Sequence, residues 1–338
     1  MPTYRDYPVQ DLCRRRSFEE VAYLLWNGEL PTREQLSAQN RAERAQRALG
    51  PHIAAVLAEQ SFAAHPVDTL QTAVSVLGAN EPAEDDITPA VIRAKALRLF
   101  AVLPSIAAAD QRRRHGLGAV APRDDLSYAA NFLYMTFGKV PEPQIVAAFE
   151  TSLILYAGHS ADSPASVPRA VTSTQFDLYH AVAAAIGALK GPPYGGGAEA
   201  VLEMMNEIAI PDNARPWIEE AAAGSRKIVG FGHRLDKSGD ARVPPMRAAL
   251  GMIAGLRRGQ HLIEVHDALA AAMYEAKGLL PNLDYPAGPA FHLIGFDILT
   301  FAPILAAARL PGWTAHIAER FPCDAGAERR RKREAIDG

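Results

Sequence analysis

The sequence predicts a mostly α-helical protein, and three features carry that prediction. Apolar residues recur at helical spacing along most of the chain. Several of these runs begin at a residue able to cap a helix and stop at a glycine. Alternating apolar–polar stretches, the mark of half-buried strands, are nearly absent.

Taken in order, "SFEEVAYLLWNGELP" (17–31) opens with Ser17 as N-cap, has Glu20 at capping-box spacing, and is ended by Gly28. "DTLQTAVSVLGANEP" (68–82) repeats the design with Asp68 and Gly78. The segment 88–114 predicts one or two helices interrupted by Pro104. Residues 140–160 and 175–191 predict long amphipathic or buried helices. "HLIEVHDALAAAMYEAKG" (261–278) carries an apolar stripe and a terminal glycine. Three irregular segments break this pattern: "GPPYGGGAEA" (191–200), "KIVGFGHRLDKSGDARVPP" (227–245) and "LLPNLDYPAGPAFH" (279–292). Each sets a titratable or hydroxyl group among glycines or prolines. They read either as connectors or as the places where function concentrates. There is no internal repeat and no low-complexity linker.

The chain has 338 residues, enough for one large domain or two smaller ones. With 49% apolar and 22% charged residues it has the composition of a soluble globular protein. A net charge of −3 argues against nucleic acid or a membrane surface as partner. The one basic run, Arg329 to Arg333, reads as a solvated tail. Cys13 and Cys323 are the only cysteines, which excludes a disulfide framework or a cysteine zinc site and suits a reducing compartment. The N-terminal "MPTYRDYPVQDLCRRRS" lacks the apolar centre of a signal peptide. "ILTFAPILAAA" (298–308) is too short to span a bilayer and contains a proline. The expectation is a cytoplasmic protein.

At the irregular segments the chain resembles the citrate synthase family. "ALKGPPYGGGAEAVLEMM" is similar to that family's GPLHGGANEAV motif, and "VGFGHRLDKSGDAR" to its GFGHRVYK-x-x-DPR motif. "NLDY" resembles NVDF, and "AAARLPGWTAHIAER" resembles AR-x-x-GW-x-AH-x-x-E. "FEEVAYLLWNGELPT" and "AAHPVDTLQTAVSVLG" match the family's N-terminal half, so the likeness runs from about Tyr4 to Glu319. "YPVQDL", "NLDYPAGPAFHLIGFDI" and "GWTAHI" resemble the 2-methylcitrate synthase branch most. The resemblance implies an all-α homodimer. Residues 1–195 and 290–338 would form a large domain, residues 196–289 a small one, with the site in the cleft between them. It implies condensation of an acyl-CoA, propionyl-CoA or acetyl-CoA, with a 2-oxo acid such as oxaloacetate, then thioester hydrolysis. Coenzyme A would enter only as part of the substrate, with no tightly bound cofactor and no metal.

This chemistry sets requirements that particular residues match. A carboxylate must take a weakly acidic α-proton while a donor stabilises the enol at the thioester oxygen. Asp284, between Pro281 and Pro286, matches the family's base; by itself it would read as a turn aspartate bonded to backbone amides. His233 in "GFGH" matches the group that polarises the ketone and returns a proton. Val229, Gly230, Phe231 and Gly232 belong to the loop that the family wraps around the CoA adenine. Arg242 and Arg309 match arginines that grip the acid's carboxylates, and His159 matches another substrate-contacting histidine. Arg309 also admits a plain reading as a helix-terminal cation near Gly312. His65 and His316 are assigned to packing and hydrogen bonding.

The chain departs from the family at several of these points. Tyr194 stands where the family places its enol-stabilising histidine. Both side chains donate one hydrogen bond, but the phenol reaches further from its Cα. After His159 the family's G-x-NAST-F-x-x-R is replaced by "SADSPASVPR", which brings in Asp162, Pro164 and Pro168, and Gly158 replaces a glutamate. Past Glu319 the family's RP-x-x-x-Y-x-G segment, which supplies an arginine to the partner's site, has no counterpart in "RFPCDAGAERRRKREAIDG". Beside the condensing enzyme, with Tyr194 as a third catalytic residue, stand two alternatives. One is an impaired homologue; the other is a diverged member with other substrates or with thioester hydrolysis alone.

Overall fold

The computed structural model describes residues 2–81, 88–158, 177–190, 197–224, 226–232 and 239–319. His159, Tyr194 and His233 lie outside them, as do Asp162, Pro164, Pro168 and the C-terminal basic run. A short hairpin of β1 (Thr3–Tyr4) and β2 (Tyr7–Pro8) leads into α1 (Val9–Arg15), α2 (Phe18–Asn27), α3 (Arg33–Arg44), α4 (Pro51–Glu59) and α5 (Pro66–Ala79). Then come α6 (Pro89–Arg114), α7 (Tyr128–Phe137), α8 (Pro143–Ala157), α9 (Leu178–Ala188) and α10 (Gly197–Ile208). The chain continues through α11 (Ala214–Ala223), α12 (Val243–Arg257), α13 (Gln260–Lys277), α14 (Asp284–Ile294) and α15 (Phe301–Ala318). The all-α prediction holds; among the described residues the only strands are the two of the hairpin.

The capping signals around residue 20 work as read. Ser17 Oγ accepts from the Glu20 amide (3.2 Å), Glu20 Oε2 accepts from the Ser17 amide (2.8 Å), and Gly28 ends α2 at φ +86°. Other boundaries move. α5 starts two residues before Asp68, with His65 as N-cap: its Nδ1 accepts from the Val67 amide at 3.2 Å, and Pro66 fills the first turn, where no N–H is needed. Gly78 does not stop α5. It is buried, and a Cβ there would press on the Tyr179 side chain, so it serves the close crossing of α5 and α9. Pro104 does not split α6, because residues 99–111 are buried throughout and tertiary packing outweighs the lost hydrogen bond.

The segment 298–308 was too short to span a bilayer as a sequence, but it continues. A 3₁₀ turn (Ile298–Thr300) runs into α15, giving 21 residues long and apolar enough by composition to cross a membrane. Of its most apolar window 89% is buried inside the protein, the position of a core helix.

Two apolar clusters organise the packing. The larger includes Phe18, Phe100, Phe132, Phe149, Phe291 and Phe301 and draws on most of the helices. The smaller is built from Val201, Met204, Met205 and Ile208 on α10, Ile218 on α11, Leu269 and Met273 on α13, and Tyr285 on α14. α10 and α14 serve both clusters: Ala198, Leu202, Ala287 and Phe291 face the larger one. Their N-termini therefore meet on the seam.

His266 in the smaller cluster sets a pH dependence. It is 4% exposed, its Nδ1 is bonded to Asp267 Oδ1 (2.8 Å), and its ring lies 4.4 Å from that of Tyr285. Asp267 is itself gripped by Arg247 (2.7 Å). Burial pushes the imidazole down to about 4, against the pull of Asp267 and with Arg247 acting in the same sense as burial. Above pH 6.5 the ring is neutral folded and unfolded alike. As pH falls towards 4 the unfolded chain binds a proton that the folded one resists, so stability is lost across that window. The full loss is about 3 kcal/mol. Urea unfolding at pH 7 and pH 4.5 is expected to show the native chain losing most of that amount relative to His266→Gln; an equal loss in both would refute it.

Candidate active site

Asp284 is not a loop residue. It is the first residue of α14, because Pro286 falls in the first helical turn and costs no backbone bond there. Asn282 fixes the turn: its Oδ1 accepts from the Asp284 amide (3.1 Å) and its Nδ2 donates to the Gly232 carbonyl (3.3 Å). Among the described residues the Asp284 carboxylate is held by a side chain and not by turn amides. Tyr156, in the last turn of α8, donates its hydroxyl to Oδ1 at 2.6 Å. On the other side, Oδ2 lies where a Cβ on Gly197 would stand, against the N-terminus of α10. Gly288 permits this approach, since a Cβ there would collide with the Ala198 carbonyl. Two helix N-termini thus converge on one carboxylate, a favourable setting for an anion.

Arg309 lies in the middle of α15, 8% exposed, with its guanidinium 5.5 Å from the centre of the Tyr156 ring. Gly312 does not end that helix; it lets the Ala157 carbonyl approach where a Cβ would collide. The helix-terminal reading of Arg309 therefore falls. Its Nε and Nη1 are buried and find no hydrogen-bond partner among the described residues. Burial pushes its pKa below the ordinary arginine range, opposed by the charge of Asp284, while neighbouring Arg242 adds to the push. A carboxylate presented to those N–H groups would satisfy donors that are otherwise costly to bury.

Arg242 sits immediately before α12 and is held by Asp240 at three points: amide to Oδ1 (3.0 Å), Nε to Oδ1 (2.9 Å) and Nη2 to Oδ2 (2.8 Å). Burial lowers its pKa, but the bonds to Asp240 prevail and leave it raised. Asp240 Oδ2 also accepts from the Leu283 amide (3.2 Å), which ties Arg242 to the turn carrying Asp284. Val229 to Gly232 run alongside that turn. The Gly232 amide bonds the Leu280 carbonyl (2.8 Å), the Asn282 amide bonds the Gly230 carbonyl (2.9 Å), and Phe231 bridges to Pro281. Gly230 and Gly232 adopt φ of +83° and +79°, which a side chain would strain.

Three of the six predicted catalytic and substrate-binding residues, Asp284, Arg242 and Arg309, thus come together with Val229–Gly232 beside them. His159, Tyr194 and His233 lie outside the described residues. Sequence reasoning missed four side chains at the site: Tyr156, Asp240, Asn282 and Glu199. Each had a faint signal, since each lies in or within a few residues of a segment already singled out. Glu199, in the first turn of α10, has an Oε2 sealed from solvent without a partner among the described residues. Burial pushes it up to about 7, the charge of Asp284 adding to the effect and the Ala302 amide opposing it. Among the described residues no three His, Cys, Asp or Glu side chains converge in a way that could hold a metal ion.

A family profile described as citrate synthase, C-terminal domain, matches residues 2–331. The chain belongs to the citrate synthase family. As a member of it, the chain is 51% identical over 323 residues to the 2-methylcitrate synthase of Mycobacterium tuberculosis, covering 96% of this chain and 82% of that one. It is 49% identical to a citrate synthase of Mycolicibacterium smegmatis, over 96% and 86% of the two chains. Its fold is similar to the citrate synthase of the archaeon Thermoplasma acidophilum in ternary complex with carboxymethyl coenzyme A and oxaloacetate. That match has a TM-score of 0.88 and 27% identity and covers 93% and 84% of the chains.

Proposed function

We propose that the protein condenses a short acyl-CoA, propionyl-CoA in first place and acetyl-CoA in second, with oxaloacetate and then hydrolyses the thioester. The observation that carries this reading is the convergence of a carboxylate, Asp284, with two buried arginines, Arg309 and Arg242, on the seam between the two apolar clusters. The names of the relatives support the choice of substrates. In this reading Asp284 removes the α-proton, and the enol carbon attacks the ketone of the 2-oxo acid to form the carbon–carbon bond. His233 delivers a proton to the ketone oxygen. Tyr194 donates to the thioester oxygen in place of the family histidine. Water then cleaves the thioester and free coenzyme A leaves. Arg242, Arg309 and His159 hold the dianionic acid, and Val229–Gly232 carry the CoA moiety. No metal or redox cofactor enters the scheme.

The smaller cluster, drawn wholly from residues 201–285, supports a small domain within 196–289 with the cleft along α10 and α14, while Met246, Leu250 and Ile253 of α12 in that span pack with the larger cluster. A cytoplasmic homodimer completes the reading, and native mass measurement would check the dimer. Tyr156 acts on the base: Tyr156→Phe removes the 2.6 Å hydrogen bond to Asp284 and is expected to lower kcat about tenfold. Steady-state kinetics with KM near its native value would support this; an unchanged kcat would remove Tyr156 from the mechanism.

The test of the whole reading is thiol release from propionyl-CoA and acetyl-CoA, with and without oxaloacetate, for the native chain and Tyr194→His. The expected result is oxaloacetate-dependent release by the native chain. Release by Tyr194→His alone would mean that the tyrosine silences a competent site. Release without any 2-oxo acid would replace condensation by hydrolysis.

A further inference from the structure

The N-terminal hairpin reaches into the active centre from a distant part of the chain. Tyr4 is 5% exposed, and its hydroxyl donates to the carbonyls of Ile154 (2.9 Å) and Leu155 (3.1 Å), 150 and 151 residues away. These are carbonyls of the last turn of α8, which the helix itself leaves unpaired. The Gly158 amide acts on the same hydroxyl. Gly158 is extended (φ −112°, ψ 124°), so the Tyr4 hydroxyl stands where the next turn of helix would have closed. The ring fills the space beside Gly158 so fully that a Cβ at 158 would overlap it. On the opposite side the Ala157 carbonyl rests on Gly312 of α15. The end of α8 is thus clamped between Tyr4 and α15, and the residue inside the clamp is Tyr156, the donor to Asp284.

A second contact runs from the same segment. Gln10 Nε2 donates to the Ala241 carbonyl at 3.0 Å, between Asp240 and Arg242. The hairpin is itself anchored: Arg5 donates to the Leu25 carbonyl (2.8 Å) and pairs with Glu319 (2.5 Å). From this geometry we infer that the N-terminal segment is a positioning strap of the active centre: Tyr4 caps α8 and so sets Tyr156 against Asp284, while Gln10 steadies the turn that presents Arg242. The absence of a side chain at position 158 then has a physical reason, because Tyr4 occupies its place. The inference rests on the proposed roles of Asp284 and Arg242 only for its effect on turnover; the clamp on α8 stands apart from them.

The test uses the full chain and two readouts. Hydrogen exchange of the peptide covering 151–158 is expected to speed up at least tenfold in Tyr4→Phe, with the rest of α8 unchanged. In the condensation assay Tyr4→Phe is expected to lower kcat about tenfold with KM for both substrates nearly constant. The cost is expected to vanish in a Tyr156→Phe background, since both changes disturb one contact. Full additivity of the two variants would overturn the inference, as would unchanged exchange, or a lowered Tm with native kcat. Should Tyr4→Phe fail to fold, Gly158→Ala, which expels the ring by its added Cβ, is expected to give the same local exchange, and a native exchange pattern there would equally overturn it. If the native chain releases no CoA, the proposed function fails, while the exchange result still decides the strap.

Discussion

Asp284→Asn is expected to lower kcat by about 10²–10⁴-fold with KM for both substrates close to native. The amide keeps the size and planarity of the carboxylate, and its Oδ1 still accepts from the Tyr156 hydroxyl. What it loses is the ability to receive a proton. Binding of the ground state is therefore conserved, and the loss falls on the step in which the α-hydrogen moves. Two measurements separate this from a folding defect. Thermal unfolding is expected to stay near the native value, since no apolar contact is removed. Exchange of the α-protons of propionyl-CoA into deuterated water, followed by mass spectrometry, is expected to fall with kcat. Turnover above a tenth of native would show that another group takes the proton, with Glu199, a buried carboxyl within reach of the charge of Asp284, as the next residue to substitute.

Arg309→Lys is expected to raise KM for oxaloacetate about 100-fold with a much smaller rise in KM for the acyl-CoA. The magnitude follows from losing one charge-assisted bond of about 1.5–3 kcal/mol, each 1.4 kcal/mol being tenfold. Lysine keeps the charge but not the planar fork, and its compact ammonium resists desolvation more strongly than a guanidinium. The site amplifies that difference. Arg309 is 8% exposed, and two of its N–H groups are buried without a partner among the described residues. The guanidinium also lies over the Tyr156 ring at 5.5 Å, a contact that an ammonium on a flexible stem does not reproduce. Initial rates over a grid of both substrates would check it. A rise confined to the acyl-CoA would move Arg309 to the coenzyme side of the cleft and overturn its proposed role.

The sequence carried the local devices furthest. Ser17, Glu20 and Gly28 act through bonds between residues three or four apart, so spacing alone predicts them. The C-terminal glycine at 278 ends α13 for the same reason. Errors arose where a residue serves a distant neighbour. Gly78 reads as a stop signal but exists for the ring of Tyr179, about a hundred residues on. Pro104 reads as a break but lies in a buried helix whose packing holds it straight through the interruption. Asp284 reads as a turn residue because prolines flank it, yet a proline in the first helical turn costs nothing.

The same division runs through the candidate site. Asp284, Arg242 and Arg309 were legible because each sits in a motif with its own local grammar. Asp240 and Asn282 were hidden in those same motifs, since a supporting role shows only when its partners are seen: Asp240 grips Arg242, and Asn282 joins the Asp284 turn to Gly232. Tyr156 and Tyr4 carried no signal pointing to a shared task.

By itself the sequence determined the helical class, the family and the charged groups available for chemistry, because periodicity, capping and motif spacing are short-range properties written into neighbouring residues. The tertiary structure alone decided which of those groups meet. Tyr4, Tyr156, Asp284 and Arg309 come from four segments between residues 4 and 309, and only the burial of helix faces against one another, which no local spacing encodes, brings their polar ends to one seam.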